Sequence, residues 1–126
     1  MALAPAVTDI EQVKGHPAVA RLLAWNPKAV EAVKFDREEM TIYVERSMIR
    51  EACALLRDDP NCPFNAFCDV TAVDWYPSEP RFHVVYHLLS IPKKERVRLK
   101  VRLNGDLGES LLDDAGYEAL TTGATH

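Results

Sequence analysis

The most constraining feature of this chain is a strictly alternating segment, Glu95–Leu103. Its apolar side chains occupy every second position and are Val97, Leu99, Val101 and Leu103. Its cations, here called the basic strip, occupy the positions between and are Arg96, Arg98, Lys100 and Arg102. Successive side chains of a β-strand point to opposite faces. The segment therefore predicts a strand with one buried face and one basic face.

Two more strands are predicted directly before this one, so that residues 64–103 form three consecutive strands. The first, Phe64–Trp75, is rich in aromatic and β-branched residues, and the second is Arg81–Ile91. Proline-containing segments at 76–80 and 92–94 separate the three strands. The second strand has apolar residues on both faces, which indicates a strand that is covered on both sides or central in its sheet.

The first half of the chain predicts two helices and a hairpin. Pro17–Trp25 has an apolar stripe with proline at its first position, and Ser47–Arg57 has a second stripe with Ser47 as its N-cap. Val30–Phe35 and Met40–Val44 are predicted strands joined by a polar turn. The order helix, two strands, helix, three strands predicts an α+β fold of two layers, with the helices on one face of a mixed sheet.

The length of 126 residues favours one domain with a modest hydrophobic core. We expect this domain to span residues 16–103. Residues 1–15 are expected to form a flexible leader. Residues 104–126 combine glycines with acidic residues and few large apolar side chains, so they are expected to form a mobile tail.

Composition excludes several classes of protein. The net charge of −4 argues against a protein that mainly binds nucleic acid. No apolar run approaches the roughly 20 residues that a membrane helix needs. Cys53, Cys62 and Cys68 are odd in number and lack CxxC spacing, so a disulfide framework or a zinc site is not expected. These features favour a reduced, cytoplasmic protein.

Two residue pairs and one cysteine could suggest catalysis or metal binding. His83 and His87 would lie roughly 13 Å apart on a strand, too far to share a metal ion. Asp69 and Asp74 have an odd spacing that puts them on opposite faces, which favours interface or turn contacts over a catalytic pair. Cys68 has no adjacent base and no helix N-terminus in the sequence that would activate it as a nucleophile. We therefore assign no catalytic, cofactor-binding or metal-binding residue.

The basic strip leaves two interpretations open. Its cations could keep a solvated strand from pairing with other sheet edges, or they could form a docking surface for a protein partner. Nucleic acid is disfavoured because the strip lacks interleaved aromatic residues. The residues considered as interface candidates are Asp69, Asp74, Arg96, Arg98, Lys100 and Arg102.

Four segments carry a resemblance to a known family: Phe67–Trp75, Pro80–Leu88, Glu95–Val101 and the helix Glu51–Arg57. Over roughly residues 16–103 the chain resembles the C subunit of bacterial NADH–quinone oxidoreductase, the respiratory complex I. The resemblance implies the same order of helices and strands. The family's C-terminal motif is not found after Leu103, so the chain is expected to be truncated or divergent there.

The resemblance also implies a function. The chain would be a non-catalytic, cofactor-free scaffold subunit in the peripheral arm of a proton-translocating NADH–quinone oxidoreductase. Its partners would be the quinone-site and iron–sulfur subunits, which carry electrons from NADH to quinone. It would lie on the cytoplasmic side of the cell inner membrane and meet the membrane only through the complex. The alternative is a free-standing, soluble protein-binding module of the same fold, no longer assembled into the complex and located in the cytoplasm.

Overall fold

The structure is a computed structural model that describes residues 5–104 of the chain. Within these residues the helices are α1 (Ile10–Val13), α2 (Pro17–Trp25) and α3 (Ile49–Arg57). The strands are β1 (Val30–Asp36), β2 (Glu39–Val44), β3 (Ala66–Asp74), β4 (Phe82–Ser90) and β5 (Glu95–Leu103). The expectation of a mobile tail concerns residues that, beyond Asn104, lie outside this described range.

The strands form one mixed sheet in the order β1-β2-β5-β4-β3. Strands β3, β4 and β5 pair antiparallel as a meander, and β1 and β2 pair antiparallel as a hairpin. The two units join where β5 pairs parallel with β2. This arrangement confirms the predicted α+β fold with a mixed sheet, and it places both β4 and β5 inside the sheet.

The hairpin between β1 and β2 turns over two residues, Arg37 and Glu38. Both have positive φ values, 53° and 66°, as a two-residue turn of type I′ requires. Neither residue is glycine or asparagine, the types that adopt this conformation most easily. The polar segment predicted as a turn therefore does form one.

The hydrophobic core lies between the helices and one face of the sheet. The helices contribute the buried side chains of Ala18, Val19, Leu22, Ile49, Ala52 and Leu56. On β5 the inward residues are buried and the cations between them are exposed or half-buried, as the alternation predicts. Leu99 is completely buried, and its neighbours on the adjacent strands are Ile42 of β2 and Tyr86 of β4.

The start of α3 differs from the sequence prediction. A 3₁₀ turn, Arg46–Met48, precedes the helix, which begins at Ile49 instead of Ser47. The Glu45 carboxylate accepts a hydrogen bond from the Ser47 backbone N–H at 2.9 Å and another from the Ser47 hydroxyl. Glu45 therefore caps the 3₁₀ turn by accepting an otherwise free N–H group at its start, and α3 itself has no side-chain cap at Met48.

The segment before α2 contacts the domain more than the expected leader would. Val7 and Phe35 exchange backbone hydrogen bonds of 2.8 and 2.7 Å, which extends the sheet beyond β1. Val13 of α1 is buried in the core cluster. Within the described residues, contacts with the domain thus begin at Val7, ahead of the boundary expected at His16, because Val7 satisfies backbone groups of the β1 edge.

Strand β3 is shorter than predicted and is irregular near its start. Its pairing with β4 shifts register between Phe67 and Asp69, so Cys68 forms a bulge. Phe64 is buried without belonging to a strand, and its N–H donates to the Leu56 carbonyl at 2.9 Å. From Thr71 to Asp74 every residue is exposed. The second half of this edge strand therefore has little cover from the residues that the structure describes.

Candidate functional site on the open face of the sheet

The face of the sheet that points away from the core is the candidate site, and we call it the open face. Directly paired residues of adjacent strands share a face, so the strand registers define rows across it. One row consists of Asp69, His87, Arg98, Thr41 and Lys34. The next row consists of Thr71, Val85, Lys100, Tyr43 and Ala32. The basic strip therefore runs along the middle of the open face.

The central position of β5 bears on one of the two interpretations of the basic strip. Because β5 is hydrogen-bonded to β2 on one side and β4 on the other, its cations do not guard an edge of the sheet. The idea that they prevent edge-to-edge pairing is therefore wrong. The strip is instead part of a broad surface in the middle of a sheet face.

Two arginines of the strip are paired within the chain. Arg98 Nη2 lies 2.9 Å from Glu39 Oε2, and Arg102 Nη2 lies 3.2 Å from Glu31 Oε1. Both acids come from the β1–β2 hairpin, which adjoins β5 on the side opposite to β4. These partly exposed pairs orient the two guanidinium groups and contribute little stability.

Lys100 differs from these arginines. Within residues 5–104 no carboxylate forms an ion pair with it, and its ammonium nitrogen lies 5.8 Å from the centre of the Tyr43 ring. Partial burial, and then the charges of Arg98 and Lys34, lower the pKa of Lys100. The middle of the open face thus has an excess of positive charge that the described residues do not neutralise.

An aromatic row crosses one end of the open face. The rings of Tyr43 and His83 are 6.3 Å apart at an angle of 85°, and those of His83 and Trp75 are 5.6 Å apart at 58°. The Arg102 guanidinium lies 4.6 Å from the centre of the Tyr43 ring. Burial, and then the charges of Lys100 and Arg102, lower the pKa of His83. His83 is therefore neutral at pH 7 and acts as an uncharged ring within a basic surface.

Large apolar side chains are exposed where this row meets the edge strand. Trp75 is 50% exposed, Tyr76 is 73% exposed and Val73 is 36% exposed. Exposed tryptophan and tyrosine are typical of protein interfaces, where they supply most of the binding energy. Sequence reasoning missed this part of the site, although the Trp75-Tyr76 pair at the end of a strand was a visible signal.

The structure separates the two predicted aspartates. Asp69 lies on the open face opposite His87, and Asp74 pairs with Phe82 on the core side of the sheet. Asp74 accepts hydrogen bonds from Arg81 Nε at 2.9 Å, Arg81 Nη2 at 3.0 Å and the Tyr76 backbone N–H at 2.9 Å. Asp74 therefore makes the turn contacts predicted for it and does not belong to the open face.

The described residues form no cluster of three or more His, Cys, Asp or Glu side chains that could hold a metal ion. His83 and His87 both lie on the open face, with Val85 between them on the same strand.

Cys68 is exposed at its bulge, and burial raises the pKa of the Cys53 thiol to about 12. In the same range of residues no helix is long and apolar enough to cross a membrane.

Comparison with known proteins gives the chain a family. The family described as "Respiratory-chain NADH dehydrogenase, 30 Kd subunit" matches residues 42–114. The C subunit of the NADH-quinone oxidoreductase of Saccharopolyspora erythraea is 45% identical over 80 residues, which are 63% of this chain and 32% of that protein. The corresponding C subunit of Methylobacterium radiotolerans is 43% identical in an alignment of 98 residues, which covers 73% of this chain and 45% of that protein.

A solved structure adds support for the fold. A chain of the membrane-bound sulfane sulfur reductase, described as an archaeal respiratory membrane complex, superposes with a TM-score of 0.55 at 30% identity. The match covers 71% of this chain and 49% of that one. This chain spans less than half the length of the two curated relatives above. The resemblance seen in the sequence is thereby confirmed, and the chain belongs to the family of the 30 Kd subunit of respiratory-chain NADH dehydrogenase.

Proposed function

We propose that the chain is a scaffold subunit in the peripheral arm of a proton-translocating NADH–quinone oxidoreductase. In this function it holds neighbouring subunits in place while they carry electrons from NADH to quinone. It contributes no catalytic residue and no cofactor of its own. Its partners are the iron–sulfur and quinone-site subunits, and it lies on the cytoplasmic side of the inner membrane.

The observation that carries this proposal is the open face of a chain that belongs to a respiratory subunit family. The face combines the basic strip in the middle of the sheet with the half-exposed indole of Trp75 at one end. Aromatic and arginine side chains together are typical of the buried centre of a protein interface. In this proposal the domain of residues 16–103 provides the docking surface, and Asp69 lies at its rim.

Co-purification tests the proposal. The full chain, carrying an affinity tag, replaces the native copy in its source cells, and their membranes are solubilised in a mild detergent. We expect the tagged chain to bring down polypeptides with iron–sulfur signals in electron paramagnetic resonance, together with NADH–quinone reductase activity. A chain that elutes alone, while the cells retain that activity, would contradict the proposal and support a free-standing binding module.

A matched pair of variants tests the docking surface. Arg96→Glu reverses the charge of the exposed cation in the basic strip, whereas Lys93→Glu makes a charge reversal in the exposed turn between β4 and β5. We expect less co-purified activity with Arg96→Glu and no change with Lys93→Glu, since like charges across an interface are costly. Equal recovery with both variants would remove the basic strip from the docking surface.

The side of the membrane is tested separately. Protease added to inverted membrane vesicles, whose cytoplasmic side faces outward, should degrade the tagged chain, and the same protease added to vesicles of native orientation should leave it intact. The opposite pattern would contradict the cytoplasmic location.

A further inference from the structure

Three cations converge near the middle of the open face: Lys34 of β1, and Arg98 and Lys100 of β5. The register places Lys34 and Arg98 on the two sides of Thr41, in one row. Lys100 lies two residues after Arg98 on the same face of β5, and it pairs with Tyr43 of β2. Arg98 is neutralised by Glu39 at 2.9 Å. Lys34 and Lys100 form no ion pair with any of the residues that the structure describes, so this Lys34–Lys100 pair is one place where the open face can accept negative charge.

The surroundings make this positive charge costly in the isolated chain. Lys100 is half-buried between the neighbouring strands, and partial burial together with Arg98 and Lys34 lowers its pKa. A carboxylate placed between the two ammonium groups would offset both the lost hydration and the like-charge repulsion.

An apolar contact site lies within reach on the same face. Val73 pairs with His83, and His83 pairs with Arg102, so Val73 lies two strands away from β5. At the usual strand spacing this separation is about 10 Å. Trp75 continues the edge strand beyond Val73 and packs against His83 at 5.6 Å between ring centres. Lys34 lies a further two strands away on β1, so an extended peptide segment of roughly ten residues can contact the two lysines and the exposed indole together.

We propose that an acidic segment of a neighbouring subunit docks on the open face, with an Asp or Glu carboxylate between Lys34 and Lys100 and an apolar side chain against Trp75. Charge complementarity selects this occupant. A nucleic acid would need several free cations in a line, but two of the four cations of the strip are already paired with Glu31 and Glu39. Those two carboxylates, with Asp69 at the rim, would repel a run of phosphates.

This inference rests on the proposed function, because it names the chemistry of one of the partners. It fails independently if the chain co-purifies with the complex while Lys34 and Lys100 remain free in solvent. Zero-length cross-linking makes the distinction, since a carbodiimide joins an amine to a carboxylate only where the two are in contact. The experiment uses the complex as purified through the tagged chain, followed by peptide mass spectrometry.

We expect cross-links from Lys34 or Lys100 to an Asp or Glu of another subunit, with an apolar residue close to that acid in its sequence. Amine acetylation of Lys34 and Lys100 should be slower in the complex than in the isolated chain, whereas that of Lys28 and Lys93, which are exposed, should be the same in both. Equal acetylation rates of Lys34 and Lys100 in the two samples, without such cross-links, would overturn the inference. Cross-links to a second copy of this chain, detected by isotopic mixing, would also overturn it.

A double variant provides the second measurement. Lys34→Glu combined with Lys100→Glu should reduce recovery of the cross-linked subunit by about tenfold or more, because two opposed charges become like charges. Lys28→Glu combined with Lys93→Glu changes the net charge equally and should leave recovery unchanged. Thermal unfolding of both purified variants checks that the fold is intact. Undiminished recovery with the first variant would contradict the inference and leave the proposed scaffold function standing.

Discussion

Asp74 and Arg81 close the loop between β3 and β4 through two parallel hydrogen bonds, Nε to Oδ1 at 2.9 Å and Nη2 to Oδ2 at 3.0 Å. The same Asp74 Oδ1 accepts the Tyr76 backbone N–H at 2.9 Å. The Arg81 guanidinium also lies 5.1 Å from the centre of the Tyr76 ring and 4.7 Å from that of Phe82. Asp74 therefore fixes the loop that presents Trp75 and Tyr76 to solvent.

This contact makes a pH-dependent prediction. The hydrogen bonds from Arg81, and then the one from Tyr76, lower the pKa of Asp74. A carboxyl group with a lowered folded pKa stabilises the fold above its ordinary value of 3.8, and this contribution disappears as pH falls through the lowered value. We expect Asp74→Ala to lower the temperature midpoint of unfolding at pH 7. The difference in midpoint between the variant and wild type should shrink as the pH falls below 3.8.

Asp74→Asn is the matched control, because its side-chain oxygen can still accept the Tyr76 N–H while the charge is lost. It should destabilise less than Asp74→Ala at pH 7. The tryptophan emission of both variants reports the loop directly, since Trp75 lies next to the substituted position. Identical unfolding midpoints for wild type and both variants would contradict the structural role of Asp74.

Strand β5 provides a contrast between its two faces. Leu99 is completely buried, so Leu99→Ala should reduce the free energy of unfolding by roughly 2–5 kcal/mol. Arg98, on the opposite face, makes one partly exposed ion pair with Glu39, so Arg98→Ala should cost less than about 1 kcal/mol. Chemical denaturation of the isolated chain measures both values. A larger loss for Arg98→Ala than for Leu99→Ala would reverse our assignment of the two faces.

The alternation of β5 could be predicted because it is local: apolar and charged residues follow each other at the period of a strand. Its place in the centre of the sheet could not, because that depends on the parallel pairing of Met40–Tyr43 with Val97–Lys100, far away in sequence. The sequence therefore left the edge interpretation open. Ser47 was misassigned for a local reason, since a 3₁₀ turn begins before it and its own N–H and hydroxyl both donate to Glu45.

The charged residues of the candidate site could be predicted from the sequence, whereas its aromatic row could not. The basic strip comes from one strand, whereas Tyr43, His83 and Trp75 come from different parts of the chain and meet only through strand pairing. The contact of His83 with two aromatic rings has no local signal in the sequence. The two aspartates were separated correctly by the parity of their spacing, and the turn contact of Asp74 followed from its position.

The three cysteines should differ sharply in reactivity. Cys68 is exposed, Cys62 is buried and Cys53 is half-buried. Burial also raises the pKa of Cys53 to about 12, so its reactive thiolate is scarce at pH 8. We expect an aromatic disulfide reagent to modify Cys68 rapidly in the native chain and all three thiols after denaturation. Rapid reaction of Cys53 in the native state would contradict the packing of α3.

His16 should make the fold sensitive to mild acid. Its Nδ1 atom accepts the Ala18 backbone N–H at 3.2 Å at the start of α2, and its Nε2 atom lies 3.7 Å from Glu95 Oε2. Burial lowers the pKa of His16, and the Glu95 charge opposes this shift only in part. The unfolded chain therefore binds a proton more readily than the folded chain, and stability should fall as pH decreases below the ordinary value of 6.5.

His16→Asn isolates this effect, because asparagine is also a good N-cap but does not titrate near neutral pH. We expect the free energy of unfolding to decrease less between pH 7.5 and pH 5 in this variant than in wild type. The lowered pKa of His83 acts in the same direction in both proteins, so the difference between them belongs to His16. Urea denaturation across this pH range measures it. Parallel pH profiles for the two proteins would mean that the His16 ring remains able to take up a proton in the folded chain.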